Sequence, residues 1–243
     1  KVFSPLLVLI ATGARSRVLP VIPQDGKKII GYREAMNLPK QPKKLIIVGS
    51  GAIGVEFAYF YNSLGTKVTI VEYLPNLVPL EDHEISKELE KSFRKGGINV
   101  MTSSEVISIS NKGKGVTATI KTNKGEKTLD ADILLSATGI KSNIEGIGLE
   151  DVGIAVDKDK ILVNSYYQTN IPGIFAVGDI NTYPGKLKLI LCGFHEATLM
   201  CQAAFKIIFP NKKNILKYTT VSGVQGFDGS TRKTDNSIIK SIE

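Results

Sequence analysis

The 243-residue sequence predicts an α/β fold, and three stretches carry that expectation. Residues 44 to 72 read as strand, glycine-rich turn, helix and strand. Residues 81 to 97 add an amphipathic helix after the second strand. Residues 106 to 129 alternate through glycine turns, the pattern of an antiparallel meander.

The first apolar run, Leu6 to Ile10, ends at Ala11-Thr12-Gly13 rather than at a small-residue cleavage site, so it reads as a strand and not as a signal peptide. The abrupt start without Met suggests a piece of a longer protein. Leu45-Ile46-Ile47-Val48 is the next clear strand, followed by Gly49-Ser50-Gly51-Ala52-Ile53-Gly54 and a helix to Leu64 that Gly65 stops. Lys67 to Val71 returns as a strand that ends at Glu72. Glu81-Asp82-His83-Glu84 then supplies a cap and first-turn acids for Ile85, Leu89 and Phe93, spaced by four, and Gly96-Gly97 ends that helix. Ile98 to Met101 is a third strand, Val106 to Leu129 the meander, and Ile133 to Ala137 an apolar strand running into Thr138-Gly139.

Further along, Ile161-Leu162-Val163 and Ile174 to Val177 read as strands, and Leu187 to Ile208 as a helix apolar on nearly all sides, which something must cover. Ile10-Ala11-Thr12-Gly13-Ala14-Arg15-Ser16 and Ser136-Ala137-Thr138-Gly139-Ile140-Lys141-Ser142 echo one another, one on each side of the central stretch.

Composition narrows the function classes. The longest apolar runs fall far short of the ~20 residues a membrane helix needs, so no membrane span is expected. The net charge of +8 is spread through turns such as Lys112-Gly113-Lys114, with no basic stripe interleaved with aromatics, and a solvated surface is expected rather than a nucleic-acid site. On one helix, Cys192 and Cys201 would stand roughly 13 Å apart, too far for the about 7 Å that a disulfide allows. Two buried free thiols and a reducing cytoplasmic setting are expected.

The chemistry sits in the glycine turn. Gly49 serves the tight turn, Gly51 the close approach of a pyrophosphate to backbone, and Gly54 the packing of helix on strand. Ala52 and Ile53 open a helix whose N–H groups and dipole face the phosphates. Glu72, at the end of the second strand, can accept hydrogen bonds from a ribose 2′-OH and repel a 2′-phosphate, and neither Tyr73 nor Leu74 adds a compensating charge. The pattern predicts a Rossmann-like dinucleotide-binding domain that favours NAD(H) over NADP(H). Glu56 is an acid in the first helical turn, where the dipole alone could explain it.

Together, Ile46 to Ala58, Ile10 to Ala14 and Ser136 to Gly139 resemble dihydrolipoamide dehydrogenase, of the pyridine nucleotide-disulfide oxidoreductase superfamily, over residues of about 8 to 177. The resemblance implies a two-dinucleotide-binding-domain flavoprotein, in which the NAD-binding domain is inserted in an FAD-binding domain and hydride passes between NADH and flavin. It implies that Glu56 contacts the nicotinamide end, that Val106 lies near the adenine, that Gly139 lines the cofactor cleft and that Gly13 contacts FAD. Gly173 to Asp179 resembles the family's second FAD signature, in which Gly178 makes the turn and Asp179 binds a ribityl hydroxyl. From Ile180 to Thr220 the sequence is more similar to the closing segment of thioredoxin-reductase-like ferredoxin or flavodoxin NADP reductases.

The expected organisation is an FAD-domain segment at 1–32, an NAD-binding domain at 33–150, a C-terminal FAD-domain segment at 151–226 and a polar tail at 227–243. The FAD-binding part is incomplete: the N-terminal glycine-rich half, the redox-active cysteine pair and the C-terminal interface domain of a lipoamide dehydrogenase are absent. His195-Glu196 does not replace the missing His-Glu base pair, because neighbours on a helix point about 100° apart, and a partly buried structural histidine is expected. No catalytic residue and no metal ligand is assigned. An FAD-dependent NAD(H) oxidoreductase, a ferredoxin or flavodoxin reductase, and an isolated NAD-binding module stand as readings. The expected partners are the dinucleotide, a redox protein acceptor or a missing FAD-domain half, and a second copy in a homodimer.

Overall fold

The computed structural model describes residues 4–214. The polar tail and the segment from Tyr218 to Thr220 lie outside the described residues. In chain order the elements are β1 (Val8–Ile10), β2 (Ala14–Ser16), β3 (Ile29–Ile30), α1 (Tyr32–Ala35), β4 (Lys44–Val48), α2 (Ala52–Ser63) and β5 (Lys67–Val71). Next come α3 (His83–Lys95), β6 (Asn99–Met101), β7 (Glu105–Ser110), β8 (Val116–Thr122), β9 (Gly125–Ala131), β10 (Ile133–Ser136) and β11 (Ile140–Ser142). The last are β12 (Val156–Asp157), β13 (Lys160–Leu162), β14 (Ile174–Ala176), β15 (Asn181–Thr182) and α4 (Ile190–Ile208).

Two compact units divide these elements. One holds residues 12–151 with 156–160. It contains a five-stranded parallel sheet in the order β3-β10-β4-β5-β6 and a separate antiparallel meander, β7-β8-β9. Because successive strand residues face opposite sides, each strand feeds two cores. Leu45, Ile47, Ile70, Val100 and Leu135 pack with Ala58 and Tyr61 of α2 and Phe93 of α3. Ile46, Val48, Val71 and Leu134 pack with Val106, Val116, Ala118 and Ile120 of the meander. This double cover is why the parallel strands read as continuous apolar runs rather than as alternation. Ile29 and Ile30 pair with β10, so this sheet takes in residues before position 33.

Both helices of this unit end as their glycines require. After α2, Gly65 (φ +91°) donates to Asn62 O and Thr66 to Tyr61 O. After α3, Gly97 (φ +90°) donates to Arg94 O and Ile98 to Phe93 O, the same paired closure. Asp82 caps α3 by accepting from the N–H groups of Glu84 and Ile85.

The second unit holds residues 4–11, 152–155 and 161–214 of the described chain. β1 pairs in parallel with β14, and β13 with β15. α4 packs Leu199, Met200, Ala203 and Ala204 around Tyr167, Phe175 and Val177.

Three expectations for α4 are corrected. The helix begins at Ile190 rather than Leu187, and among the described residues one side of it packs, with Ile190, Leu191 and Phe194 at 83%, 76% and 70% exposure. Its apolar residues encircle the axis, so their pattern carries no signal for which side packs. The thiols are not buried: Cys201 is exposed and Cys192 half-buried, since the spacing between them turns one to the opposite side from the other. His195 is exposed, and its neighbour Glu196, about 100° around the helix, is the residue fully enclosed.

Candidate dinucleotide site

The candidate site lies along the carboxyl edge of the parallel sheet. Register places Ser136, Val48, Val71 and Met101 side by side at the ends of β10, β4, β5 and β6. Beyond that line the chain is tied across: Gly49 donates to Val71 O, Glu72 to Met101 O, Ala137 to Val48 O and Ser104 to Glu72 O. Strand order runs one way from β4 to β6 and the other way through β10, so the turn after β4 opens at the point where the topology reverses, the usual place for a ligand crevice in such sheets.

The three glycines of the turn are glycines for different physical reasons. Gly49 has φ +97°, and a Cβ on it would lie 2.5 Å from Ala137 O. A Cβ on Gly54 would lie 2.0 Å from Gly49 O, so the helix rests directly on the turn it grows from. Gly51 differs from both. Its backbone, φ −67° and ψ −176°, is open to any residue, and a Cβ there meets nothing within 4 Å. Nothing among the described residues requires glycine at 51. It is the N-cap of α2 with no side-chain cap, so the first N–H groups of the helix, from Ala52 and Ile53 on, face outward without an acceptor from a cap side chain. An open glycine ahead of outward helix amides is a fit for an anionic group approaching the backbone closely.

Glu72 is 6% exposed, not a solvated strand-end acid. Its Oε2 accepts from both the backbone N–H and the hydroxyl of Ser50, each at 2.7 Å, and its Oε1 accepts from Leu74 N at 2.8 Å. A carboxylate offers about four acceptor positions, so capacity remains on Oε1. Ser50 is itself a junction, since its carbonyl accepts from Val78 N, which ties the loop after β5 to the glycine turn. Sequence reading singled out Glu72 but missed Ser50, the variable residue inside the glycine motif.

The remaining candidates fall in different settings. Glu56 is exposed on α2 and, because the helix already starts at Ala52, lies one turn in rather than in the first turn that the sequence predicts for it. Tyr73 is 69% exposed beside Glu72, and Leu74 42%. Val106 is buried, its side chain packed into the meander core. Gly139 follows β10 at the same sheet edge as Gly49.

The two echoing segments turn out to be partners. β2 and β11 pair antiparallel, Ala14 opposite Ser142 and Ser16 opposite Ile140. Arg17 N donates to Gly139 O and Asn143 N to Gly13 O, both at 2.9 Å, so the two glycine turns are tied by matching bonds.

In the other unit, Gly178 (φ +80°) and the half-buried Asp179 follow β14 in a single helical turn. A Cβ on Gly178 would meet nothing within 4 Å, while its backbone is gripped from beneath: its N–H donates to Glu196 Oε2 at 2.7 Å and its carbonyl accepts from Lys186 Nζ at 3.0 Å. Among the described residues no cluster of His, Cys, Asp or Glu suits a metal ion, and no helix is long and apolar enough to cross a membrane.

Residues 7–197 match the profile of the pyridine nucleotide-disulphide oxidoreductases. The chain belongs to that family. It is 42% identical over 203 residues to a ferredoxin–NADP reductase of Flavobacterium johnsoniae, covering 82% of this chain and 57% of that one. It is 43% identical over 174 residues to a dihydrolipoyl dehydrogenase of Rhizobium etli, covering 71% of this chain and 36% of that one. Among solved structures it is similar to LpdA of Mycobacterium tuberculosis, with a TM-score of 0.71 and 31% identity over 87% of this chain and 44% of that chain. The chain thus spans between about a third and somewhat over half of the length of these relatives.

Proposed function

We propose that this chain is the nucleotide-binding part of a flavin-dependent oxidoreductase, that it takes NAD(H) at the carboxyl edge of the parallel sheet, and that it contributes one of two segments to an FAD site. The observation that carries the reading is Gly51, a glycine that neither its backbone angles nor its surroundings demand. An incoming pyrophosphate at the amino end of α2 supplies the missing reason. Glu72, braced by Ser50, turns its remaining acceptor capacity to the adenosine ribose and disfavours a 2′-phosphate. Glu56 serves the nicotinamide end, the backbone at Val106 lies near the adenine while its side chain stays in the meander core, Tyr73 lies beside Glu72 at the cofactor, Gly139 lines the cleft and Gly13 contacts FAD.

FAD, when bound, supplies the hydride chemistry. What the chain's own residues do is hold and orient: Gly178 keeps the turn open and Asp179 offers its carboxylate to a flavin-side hydroxyl. A disulphide-reducing role is not part of the proposal, since the two cysteines stand on α4 and are unpaired. The domain division at 1–32, 33–150 and 151–226 is kept in functional outline, with the Ile29–Ile30 strand assigned to the NAD-binding sheet.

A ferredoxin or flavodoxin reductase is the second reading. One observation favours it: likeness to a ferredoxin–NADP reductase of Christiangramia forsetii extends over 234 residues and 94% of the chain, whereas that to the Rhizobium dehydrogenase stops at 174. A redox protein would then be the acceptor, and a homodimer or a separately supplied FAD-domain half the assembly. No nucleic acid is involved, and a cytoplasmic location is proposed. Titration of the purified chain with NADH and NADPH, with the absorbance of any copurified flavin, tests the reading. NADH binding well ahead of NADPH and a yellow protein are expected. Saturating NADH with neither heat nor thermal shift would remove it.

A further inference from the structure

We propose that Glu196, through its ion pair with Lys186, is the positioning residue that holds the Gly178-Asp179 turn in its cofactor-receiving shape; this rests on the reading that the turn takes flavin. Glu196 has no exposed surface, and its carboxylate gathers four donors. Oε2 accepts from Gly178 N at 2.7 Å and Asn181 Nδ2 at 3.0 Å, and Oε1 accepts from the Tyr183 hydroxyl at 3.0 Å and pairs with Lys186 Nζ. The Lys186 side chain is only 7% exposed and also donates to Gly178 O. One ion pair therefore grips both backbone polar groups of a single glycine.

Stability alone does not account for the pair. Removing two charges from water is costly, and well-packed apolar residues in place of a buried ion pair are often as stable or more so. What apolar residues cannot do is hold the N–H and C=O of Gly178. Gly178 at φ +80° is bonded within its own turn only through its carbonyl, which accepts from Asn181 N, so its N–H depends on Glu196 and its carbonyl is held a second time by Lys186. α4 passes close by, with a Cβ on Gly193 reaching to 3.9 Å from Gly178 Cα, so the helix carries the carboxylate directly under the turn. Burial and the Glu196 carboxylate both push the Tyr183 hydroxyl above its ordinary range, which keeps it a hydrogen-bond donor to Glu196 at neutral pH.

Two double variants of the full chain separate positioning from stability. Lys186→Met with Glu196→Leu removes the ion pair and the acceptor; Lys186→Met with Glu196→Gln removes the charges but leaves an amide oxygen for Gly178 N–H. The glutamine variant is expected to melt close to the parent and the leucine variant several degrees lower, since it strands the donors of Gly178, Asn181 and Tyr183, so both are compared well below their melting temperatures. The leucine variant is expected to lose amide-exchange protection at Gly178 and to weaken FAD binding at least tenfold, measured by flavin fluorescence, and the glutamine variant to recover both. If the parent chain binds no FAD, the flavin reading falls and the positioning role falls with it. If the parent binds FAD and the leucine variant binds it equally well, or keeps the Gly178 amide protected, the positioning role alone is overturned.

Discussion

Glu72 and Ser50 form a closed pair at the carboxyl edge of the sheet: one carboxylate oxygen takes both the backbone N–H and the hydroxyl of the serine, each at 2.7 Å. The acid that would read the ribose is therefore also the acid that braces the phosphate turn. Replacing Glu72 with Ala strands the buried Ser50 N–H, at a cost of about 1–3 kcal/mol. The same change removes the charge that opposes a 2′-phosphate. Lower thermal stability and a smaller ratio of NADH to NADPH affinity are expected together, by melting curves and titration. Ser50→Ala, which takes away one of three donors, should cost about 1 kcal/mol and weaken NADH while leaving the preference in place. An unchanged preference in Glu72→Ala would separate the brace from the specificity.

The glycine turn offers a sharper contrast. Gly51→Val puts a side chain into space that the chain leaves empty, so melting temperature should scarcely move while dinucleotide binding is abolished. Gly54→Ala drives a methyl to 2.0 Å from Gly49 O, and no backbone atom there can give way cheaply. It should destabilise by about 1–3 kcal/mol or more and weaken binding only through the fold. Calorimetry on both variants checks this. If the two behave alike, the assignment of separate tasks to the glycines is wrong.

What was readable in the sequence is what neighbours in the chain decide. The strand, glycine turn and helix from Leu45 onward, the cap at Asp82 and the meander all depend on spacing within a few residues, and they stand where the pattern put them. The site was half readable. Gly49, Gly51, Gly54 and Glu72 follow from local grammar, but the burial of Glu72 and its grip on Ser50 come from β5 lying beside β4, a fact of sheet order. The echo of Thr12-Gly13 in Thr138-Gly139 was visible as similarity; that the two segments bond to each other was not, since pairing across so long a separation leaves no local trace. α4 was least readable. With apolar residues all round it, the pattern could not choose its packed side, and so it misplaced Cys201 and His195 and passed over Glu196.

Asp25 gives the clearest pH dependence. Burial pushes its carboxyl up, but N–H donors from Ile29, Lys27 and Lys28 and the Asn111 amide outweigh that and bring it down to about 2. A folded-state pKa below the unfolded value means stability that is present above about pH 4 and lost as pH falls towards 2. Asp25→Asn should flatten the fall of melting temperature across that window, most visibly against the parent at pH 2.5 and 4.5. Equal slopes would show that other carboxylates set the acid limb.

Arg15 joins two acceptors of unequal worth. It reaches Asn143 Oδ1 at 2.8 Å and the Glu145 carboxylate at 2.8 Å, but the ion pair is 43% and 47% exposed on its two sides and open to screening. Asn143 does more, because its side-chain Nδ2 donates to Thr12 O while its backbone carbonyl accepts from the Thr12 hydroxyl, both at 2.8 Å, across the β2-β11 pair. Glu145→Gln should therefore shift the melting temperature by no more than about a degree, and less in high salt. Asn143→Ala removes the side-chain bonds to Thr12 O and to the Arg15 guanidinium, while the bond from the Thr12 hydroxyl to the backbone carbonyl stays, and it should cost about 1–2 kcal/mol, or several degrees of melting temperature for a unit of this size. A larger loss in the Glu145 variant than in the Asn143 variant would mean that charge, not the amide ladder, holds these two crossing strands.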